Sequence, residues 1–546
     1  MLGQMMSMPL LISNLIEHAD RHHGSAEIVS RRVEGDIHRT NYSTIHARSK
    51  RLANALATLG VQHGHMVATL AWNGYRHMEL YFGVSGSGAV LHTLNPRLHP
   101  DQVVYIADHA QDKVLCFDLS FAPIIAAVAK RLKTVKHFVA LCDADKTPVI
   151  EGVQVLCYET LLAHAEPDYA WPQFDENTAS SMCYTSGTTG NPKGVLYSHR
   201  STVLHTYAGA MPDALNISAR DVILPVVPMF HVNAWGLPYL GAAIGCKMVF
   251  PGAALDGKSV HDLLESEGVT MAAGVPTVWQ GLLAHVQGNG LKFSTMRRTV
   301  IGGSACPPAM IRTFNEAYDV QVLHAWGMSE MSPLGTVCTF KTQHVNASQD
   351  AKYAVMAKQG RAVYGVDMRI VGEDGQDLPW DGKTFGDLLV RGPWVIHRYF
   401  KDEGGNPMVK DAQGRDWFPT GDVANIDADG FMQITDRSKD VIKSGGEWIG
   451  TIDLENIAMA HPDVAMAACI AAFHPKWDER PLLVVVRKPN SGVSAAELIA
   501  FYEGKIAKWW TPDDVVFTDA IPLGATGKMQ KNKLREQFKH HVLPTA

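Results

Sequence analysis

No run of residues stays apolar over the roughly 20 positions that a membrane-spanning helix requires. The longest candidate, Gly236 to Phe250, is interrupted by Lys247. No basic region precedes the apolar residues of the amino terminus, whose spacing suits an amphipathic helix, so a signal peptide is not expected. The eight cysteines, from Cys116 to Cys469, form neither a Cys-x-x-Cys pair nor a Cys/His cluster at zinc spacing. Reduced core thiols of a cytoplasmic protein are the expectation. Basic excess is missing too: 49 Lys plus Arg against 55 Asp plus Glu leave a net charge of −6, without the footprint that a nucleic acid or an anionic membrane selects. A hydrolase-type Gly-x-Ser-x-Gly elbow is also absent.

What is present is a chain of 546 residues, 46% hydrophobic and 19% charged, the balance of a globular protein with several domain-sized units and a small-molecule partner. From Tyr42 to Asp118, helical patterns (SKRLANALATLG, YFGVSGSGAVLHTL) alternate with short apolar runs, and the alternation returns from Arg220 to His324 with runs such as VILPVVPMF, KMVF and RTVIGG. That rhythm predicts βα units of a doubly wound parallel sheet, in two related subdomains. After Met356 the texture changes to short alternating runs with turn dipeptides, predicting a small β-rich subdomain. A compact strand-and-helix pattern follows Asp436. The predicted architecture is therefore α/β, with a large amino-terminal domain (1–436) and a small α+β carboxy-terminal domain (437–546).

Two loops invite a phosphate. Gly252 to Ser259 matches the Gly-x-x-x-x-Gly-Lys-Ser pattern of Walker-type NTPases, but the next strand-like run carries no Asp for a magnesium ion, and Pro251 has no N–H to offer. The second loop, after Met182 to Tyr184, holds Thr185, Ser186, Gly187, Thr188, Thr189, Gly190, Lys193 and Gly194. Its glycines admit close backbone approach, its hydroxyls donate directionally and its lysine adds a charge, a composition suited to polyphosphate. The helix-like segment VLYSHRSTVLHTYAG follows it.

The string TSGTTGNPKG resembles the signature of the AMP-forming adenylate synthetases, the superfamily that includes acyl-CoA synthetases. Further matches follow in order: His324-Ala-Trp-Gly-Met-Ser-Glu330, with Ser329 where threonine is usual; Trp417-Phe-Pro-Thr420-Gly-Asp422; Asp436-Arg437 through Lys443, Gly445, Gly446, Glu447 and Trp448; and Thr526-Gly527-Lys528. They span nearly the whole chain. Phe230-His231-Val-Asn-Ala-Trp235 is most similar to bacterial fatty acyl-CoA synthetases. The Gly252 loop has no phosphate role in that family.

The resemblance implies an ATP- and Mg²⁺-dependent carboxylic acid:CoA ligase working through an acyl-AMP, on 3-methylthiopropionate or a short- to medium-chain fatty acid. Adenylation with a non-CoA acceptor, or a Walker-type NTPase built on residues 252–259, are the competing readings. By resemblance, the Thr185–Lys193 loop takes the phosphates, and Gly303, Ser304, Ala305, His324, Ala325, Trp326, Gly327, Met328, Ser329, Asp422 and Arg437 surround the nucleotide. Thr185 and Glu330 hold Mg²⁺. Lys528 bridges carboxylate and phosphate, while His231, Trp235, Gly302, Gly303 and Trp326 shape the acyl pocket. Asp436 and Lys439 form the hinge, and Lys443, Gly445, Gly446, Glu447 and Trp448 face the coenzyme A tunnel. Alternatives remain at several positions. His231 alone reads as a core or turn histidine, Trp235 as core packing that shares a helical face with it, Gly302 and Gly303 as a tight turn, and Arg437 with Asp436 as an ion pair. The family also implies a cytoplasmic homodimer without integral membrane contact.

Overall fold

The computed structural model describes residues 1, 3–185, 191–445, 447–524 and 528–546; the side chain of Glu447 also lies outside this description. The predicted amphipathic helix forms at Ile12–His23, burying Ile12, Leu15, Ile16 and Ala19, the i, i+3, i+4, i+7 stripe of a single helical face.

Two large sheets carry the amino-terminal body. One has seven strands in the order Val155–Cys157, His137–Ala140, Val114–Phe117, Met66–Leu70, Val90–Thr93, Ala179–Tyr184 and Gly194–Ser198. All its pairings are parallel except the last. The nine-stranded second sheet has a parallel centre, running from Gln321–Gly327 through Arg298–Ile301, Met271–Gly274, Val222–Pro225 and Lys247–Phe250 to Glu27–Arg31. Antiparallel strands close both of its edges. Such sheets are covered on both faces, which is why their strands read as continuous apolar runs. An antiparallel sheet of five strands follows, including Asp367–Val371, Phe385–Arg391, Asp416–Ile426 and Met432–Arg437. Beyond it lies a last five-stranded sheet centred on Asp478–Arg487, which forms a long hairpin with Val464–His474 and is flanked by helices Thr451–Met459 and Lys531–Gln537.

Three local features differ from the sequence reading. YFGVSGSGAVLHTL is not one helical pattern: the helix Tyr75–Gly86 ends there and Val90–Thr93 is a strand. Both elements are buried on all sides, so neither period shows. The segment after the hydroxyl-rich loop begins as a strand, Gly194–Ser198, antiparallel to Ala179–Tyr184. Its helix, His199–Ala210, starts only after a capping box at Ser198, so the segments on both sides of the loop are strands. Finally, Glu27–Arg31 crosses into the second sheet beside Lys247–Phe250, which interleaves the two subdomains.

Candidate active site

A continuous cleft of about 1770 Å³ opens between the two large sheets and the carboxy-terminal sheet, larger than the roughly 300–1,000 Å³ that one small ligand uses. Strand ends supply part of its lining. Thr185 stands just past Ala179–Tyr184, Gly302 to Ala305 just past Arg298–Ile301, and Ala325 to Glu330 at the end of Gln321–Gly327. Carboxyl ends of parallel strands are where α/β sheets bind ligands, because the loops there diverge and leave a crevice.

The floor is shaped by close approach. A Cβ on Gly302 would stand 2.9 Å from the Ala325 carbonyl oxygen and 3.3 Å from the Trp235 indole, so the indole lies directly on this glycine. Gly303 has φ +81, the left-handed region that favours glycine. Gly303 thus has the backbone of a tight turn, and both glycines line the cleft.

Trp235 reaches that position by an unexpected route. His231 is extended, and Val232, Asn233, Ala234, Trp235 and Gly236 all have positive φ, from 44 to 78. This is one turn of left-handed helix, so the expected shared face of an ordinary helix for His231 and Trp235 is replaced by a turn of the opposite hand that aims both at the cleft. Left-handed backbone costs about 1–2 kcal/mol per non-glycine residue, a cost that surrounding contacts must offset.

Charge converges on the cleft from several elements. The Asp422 carboxylate is buried; Trp326 Nε1–H donates to its Oδ2 (3.0 Å) and Arg437 Nε pairs with its Oδ1 (2.9 Å). Arg437 thus pairs with Asp422 and not with Asp436, whose carboxylate accepts the N–H groups of Arg437 and Thr451 (both 2.7 Å). Lys528 projects into the same space. Water reaches it, yet protein walls it in, and burial first, then Arg437, lowers its ammonium to about 8, while Asp422 and Glu330 oppose the fall. It remains mostly charged at neutral pH. Burial lowers His231 to about 4, assisted by Lys528 and Arg97, so the imidazole is neutral and can exchange hydrogen bonds but supplies no charge. Arg97, at the cleft beside Phe230, escaped the sequence reading; its clue was an arginine in the turn Asn95-Pro96-Arg97 between a buried strand and a helix.

Glu330 is buried, and burial raises its carboxyl above the usual range against the Tyr399 hydroxyl, which donates to its Oε1 (2.9 Å). Lys193 lies over the Tyr399 ring, 4.8 Å from its centre. Tyr399 therefore ties the lysine beyond the loop to the carboxylate, another contact that no local pattern announces. Among the described residues no group of three His, Cys, Asp or Glu side chains could cage a metal ion. One buried carboxylate and the Thr185 hydroxyl on the same cleft instead suit Mg²⁺, which binds few protein oxygens and completes its shell with waters and substrate phosphates.

Several expected residues lie elsewhere. His324 turns away from the cleft into the core, where its ring accepts the Cys306 N–H (3.2 Å) and meets the Ala357 carbonyl (3.1 Å); it holds the Gly302–Cys306 loop without lining the cavity. Lys443 stands over the Trp448 ring, 5.1 Å from its centre, and 3.8 Å from Glu373, while Trp448 meets Phe385. A Cβ on Gly445 would meet Trp477 at 2.8 Å. Lys443 and Trp448 thus face the antiparallel sheet of Asp367–Val371 and Phe385–Arg391, Gly445 packs against the turn of the carboxy-terminal hairpin, and none of the three lines the cleft. Ser186, Gly187, Thr188, Thr189, Gly190 and Gly446, with Thr526, Gly527 and the Glu447 side chain, lie outside the described residues. Lys439 lines the cleft.

The Walker-like loop is a helix start. Asp256 accepts the Ser259 N–H (3.0 Å) at the amino terminus of Gly257–Ser266, and exposed Lys258 pairs with Asp262 at 2.6 Å. An aspartate already occupies the place a phosphate would take, and like charge excludes it.

These elements are those of an adenylate-forming enzyme. Residues 15–400 match the AMP-binding enzyme family and residues 453–528 its carboxy-terminal domain; the chain belongs to the AMP-binding enzyme family. It is 55% identical to a 3-methylmercaptopropionyl-CoA ligase of Ruegeria lacuscaerulensis, covering 99% of both chains. Identity is 52% to a medium-chain-fatty-acid–CoA ligase of Ectopseudomonas oleovorans, over 98% of both. Among solved structures, ATP-bound MatB from Rhodopseudomonas palustris superposes with a TM-score of 0.81 at 25% identity, covering 97% of this chain and 99% of that one.

Proposed function

We propose that this chain is an ATP-, Mg²⁺- and CoA-dependent carboxylic acid:CoA ligase acting through an acyl-AMP, with 3-methylthiopropionate or a medium-chain fatty acid as its acid. The observation that carries the reading is the meeting of Lys528, from the carboxy-terminal sheet's far loop, with Asp422, Arg437 and Glu330 in a cleft walled by the strand end at Thr185. The specific acid rests on relatives named for those substrates.

A carboxylate and a triphosphate repel, and bringing them together requires cations and preorganised donors where charge develops. Lys528 bridges the acid's carboxylate and the α-phosphate oxygens. Neutral His231 orients the carboxylate by hydrogen bonding, and the Trp235 indole over Gly302 walls the acyl chain. A carboxylate oxygen attacks the α-phosphorus, and the bond to pyrophosphate breaks. Asp422, braced by Trp326 and Arg437, retains lone pairs for the ribose hydroxyls. Glu330 and Thr185 would hold Mg²⁺, which would neutralise charge at the phosphates. In the second step the thiolate of coenzyme A attacks the acyl carbonyl and AMP leaves. Lys443, Gly445, Gly446, Glu447 and Trp448 serve that step only after residues 437–546 turn about Asp436 and Lys439, since Lys443 and Trp448 face Glu373 and Phe385 here and Gly445 packs on Trp477. The same reading makes the enzyme a cytoplasmic homodimer, which sedimentation and fractionation test.

A panel of C2 to C16 acids and 3-methylthiopropionate, assayed for pyrophosphate release with and without CoA, tests the activity. AMP, pyrophosphate and a thioester are the expected products. Pyrophosphate exchange without any thioester would point to a non-CoA acceptor. ADP and phosphate as products, abolished by Lys258→Ala, would overturn adenylation in favour of a Walker-type NTPase.

A further inference from the structure

The left-handed turn Val232–Gly236 needs something to hold it, and beside the bonds from the Ala234 N–H to the Pro228 and His231 carbonyls one buried side chain ties it to a neighbouring strand. Asn233 is buried, and its Nδ2 donates to Ser181 Oγ (3.0 Å). The Cys183 thiol lies against the N–H groups of Val232 and Asn233 and points towards Asn233 Oδ1 at 3.7 Å. Ser181 and Cys183 occupy one face of the strand Ala179–Tyr184, and the next residue on that face is Thr185, at the cleft. Two residues beyond Asn233 along the turn stands Trp235, whose indole lies on Gly302. Asparagine also tolerates left-handed backbone better than most residues.

We propose that Asn233 is a positioning residue for the acid site: it pins the strained turn to the strand that leads into the phosphate loop and thereby sets the Trp235 wall. This inference rests on the acid-ligase reading above. Asn233 touches neither acid nor nucleotide; it acts through Trp235. Released from Ser181, the turn relaxes towards ordinary backbone and the indole leaves Gly302, so the acyl pocket loses its wall while the nucleotide site keeps its contacts.

Asn233→Gly separates the two contributions, because glycine accepts the left-handed backbone and removes only the side-chain pin. The acid KM is expected to rise about tenfold with the ATP KM within about twofold, and the preference among C2 to C16 acids to broaden. Ser181→Ala should move the same quantities in the same direction. Because the effect runs through the indole, Asn233→Gly placed in a Trp235→Ala background should add little to the acid KM. Thermal unfolding establishes that each variant is folded. An unchanged acid KM and length profile in Asn233→Gly, or a full independent effect in the Trp235→Ala background, would overturn the proposal. A wild-type enzyme that activates no acid removes the ligase reading and this inference together, whereas an active wild type with an indifferent Asn233→Gly removes this inference alone.

Discussion

Two loops in this chain carry glycines and a lysine just beyond a buried strand, and their surroundings separate them. Beyond Lys247–Phe250, Asp256 caps the next helix and Lys258 pairs with Asp262 in solvent. Beyond Ala179–Tyr184 the chain returns as a second strand, Lys193 rests on Tyr399, and Tyr399 reaches Glu330. The first loop has satisfied its own donors and its own lysine. The second shares its cleft with cations that protein carboxylates only partly balance. The two loops are thus told apart less by their glycines than by the charges around them.

The strongest way to break this contrast is to remove the cation that faces the second loop. Lys528→Ala should lower acid-dependent pyrophosphate exchange by about 10²–10³-fold, while thioester formation from supplied acyl-AMP stays within a few fold; equal loss of both steps would contradict a lysine that acts only in adenylation. Next in size, Lys193→Ala should raise the ATP KM about tenfold, as expected for a lost charged contact, whereas Lys258→Ala should leave every kinetic constant within twofold. Titration sharpens the comparison further. Lys528 loses its proton as pH rises through about 8, so kcat/KM for adenylation, which reports the free enzyme, should fall on a basic limb near that value. A profile flat to pH 10 would mean that the ammonium is not required. The smallest effect is expected at Asp256→Ala: about 1 kcal/mol of stability from the lost helix cap, read by denaturant unfolding, with unchanged activity.

Much of this was legible before the structure. The apolar runs became the parallel strands, the alternating runs after Met356 became hairpins, and Lys528, Glu330, Trp326, Asp422 and Arg437 share one cleft. Strings of specific residue types signal chemistry because that chemistry tolerates few substitutes. What stayed hidden depends on distant partners. The hand of the 232–236 turn is set by Ser181 and Cys183, which local propensity does not see. His324 sits inside a motif yet turns into the core because Cys306 and Ala357 offer it hydrogen bonds there. Arg97 and Tyr399 enter the site only through tertiary packing, and a strand in place of a helix after the hydroxyl-rich loop follows from its pairing with Ala179–Tyr184.

Ile28 pairs with Met248. On a ribosome adding about 5–20 residues per second, that strand is therefore made roughly 10–40 s before its neighbour exists. Until then it can pair only with Ile37–Asn41, so the interleaving delays its final place in the sheet until the later strand is made.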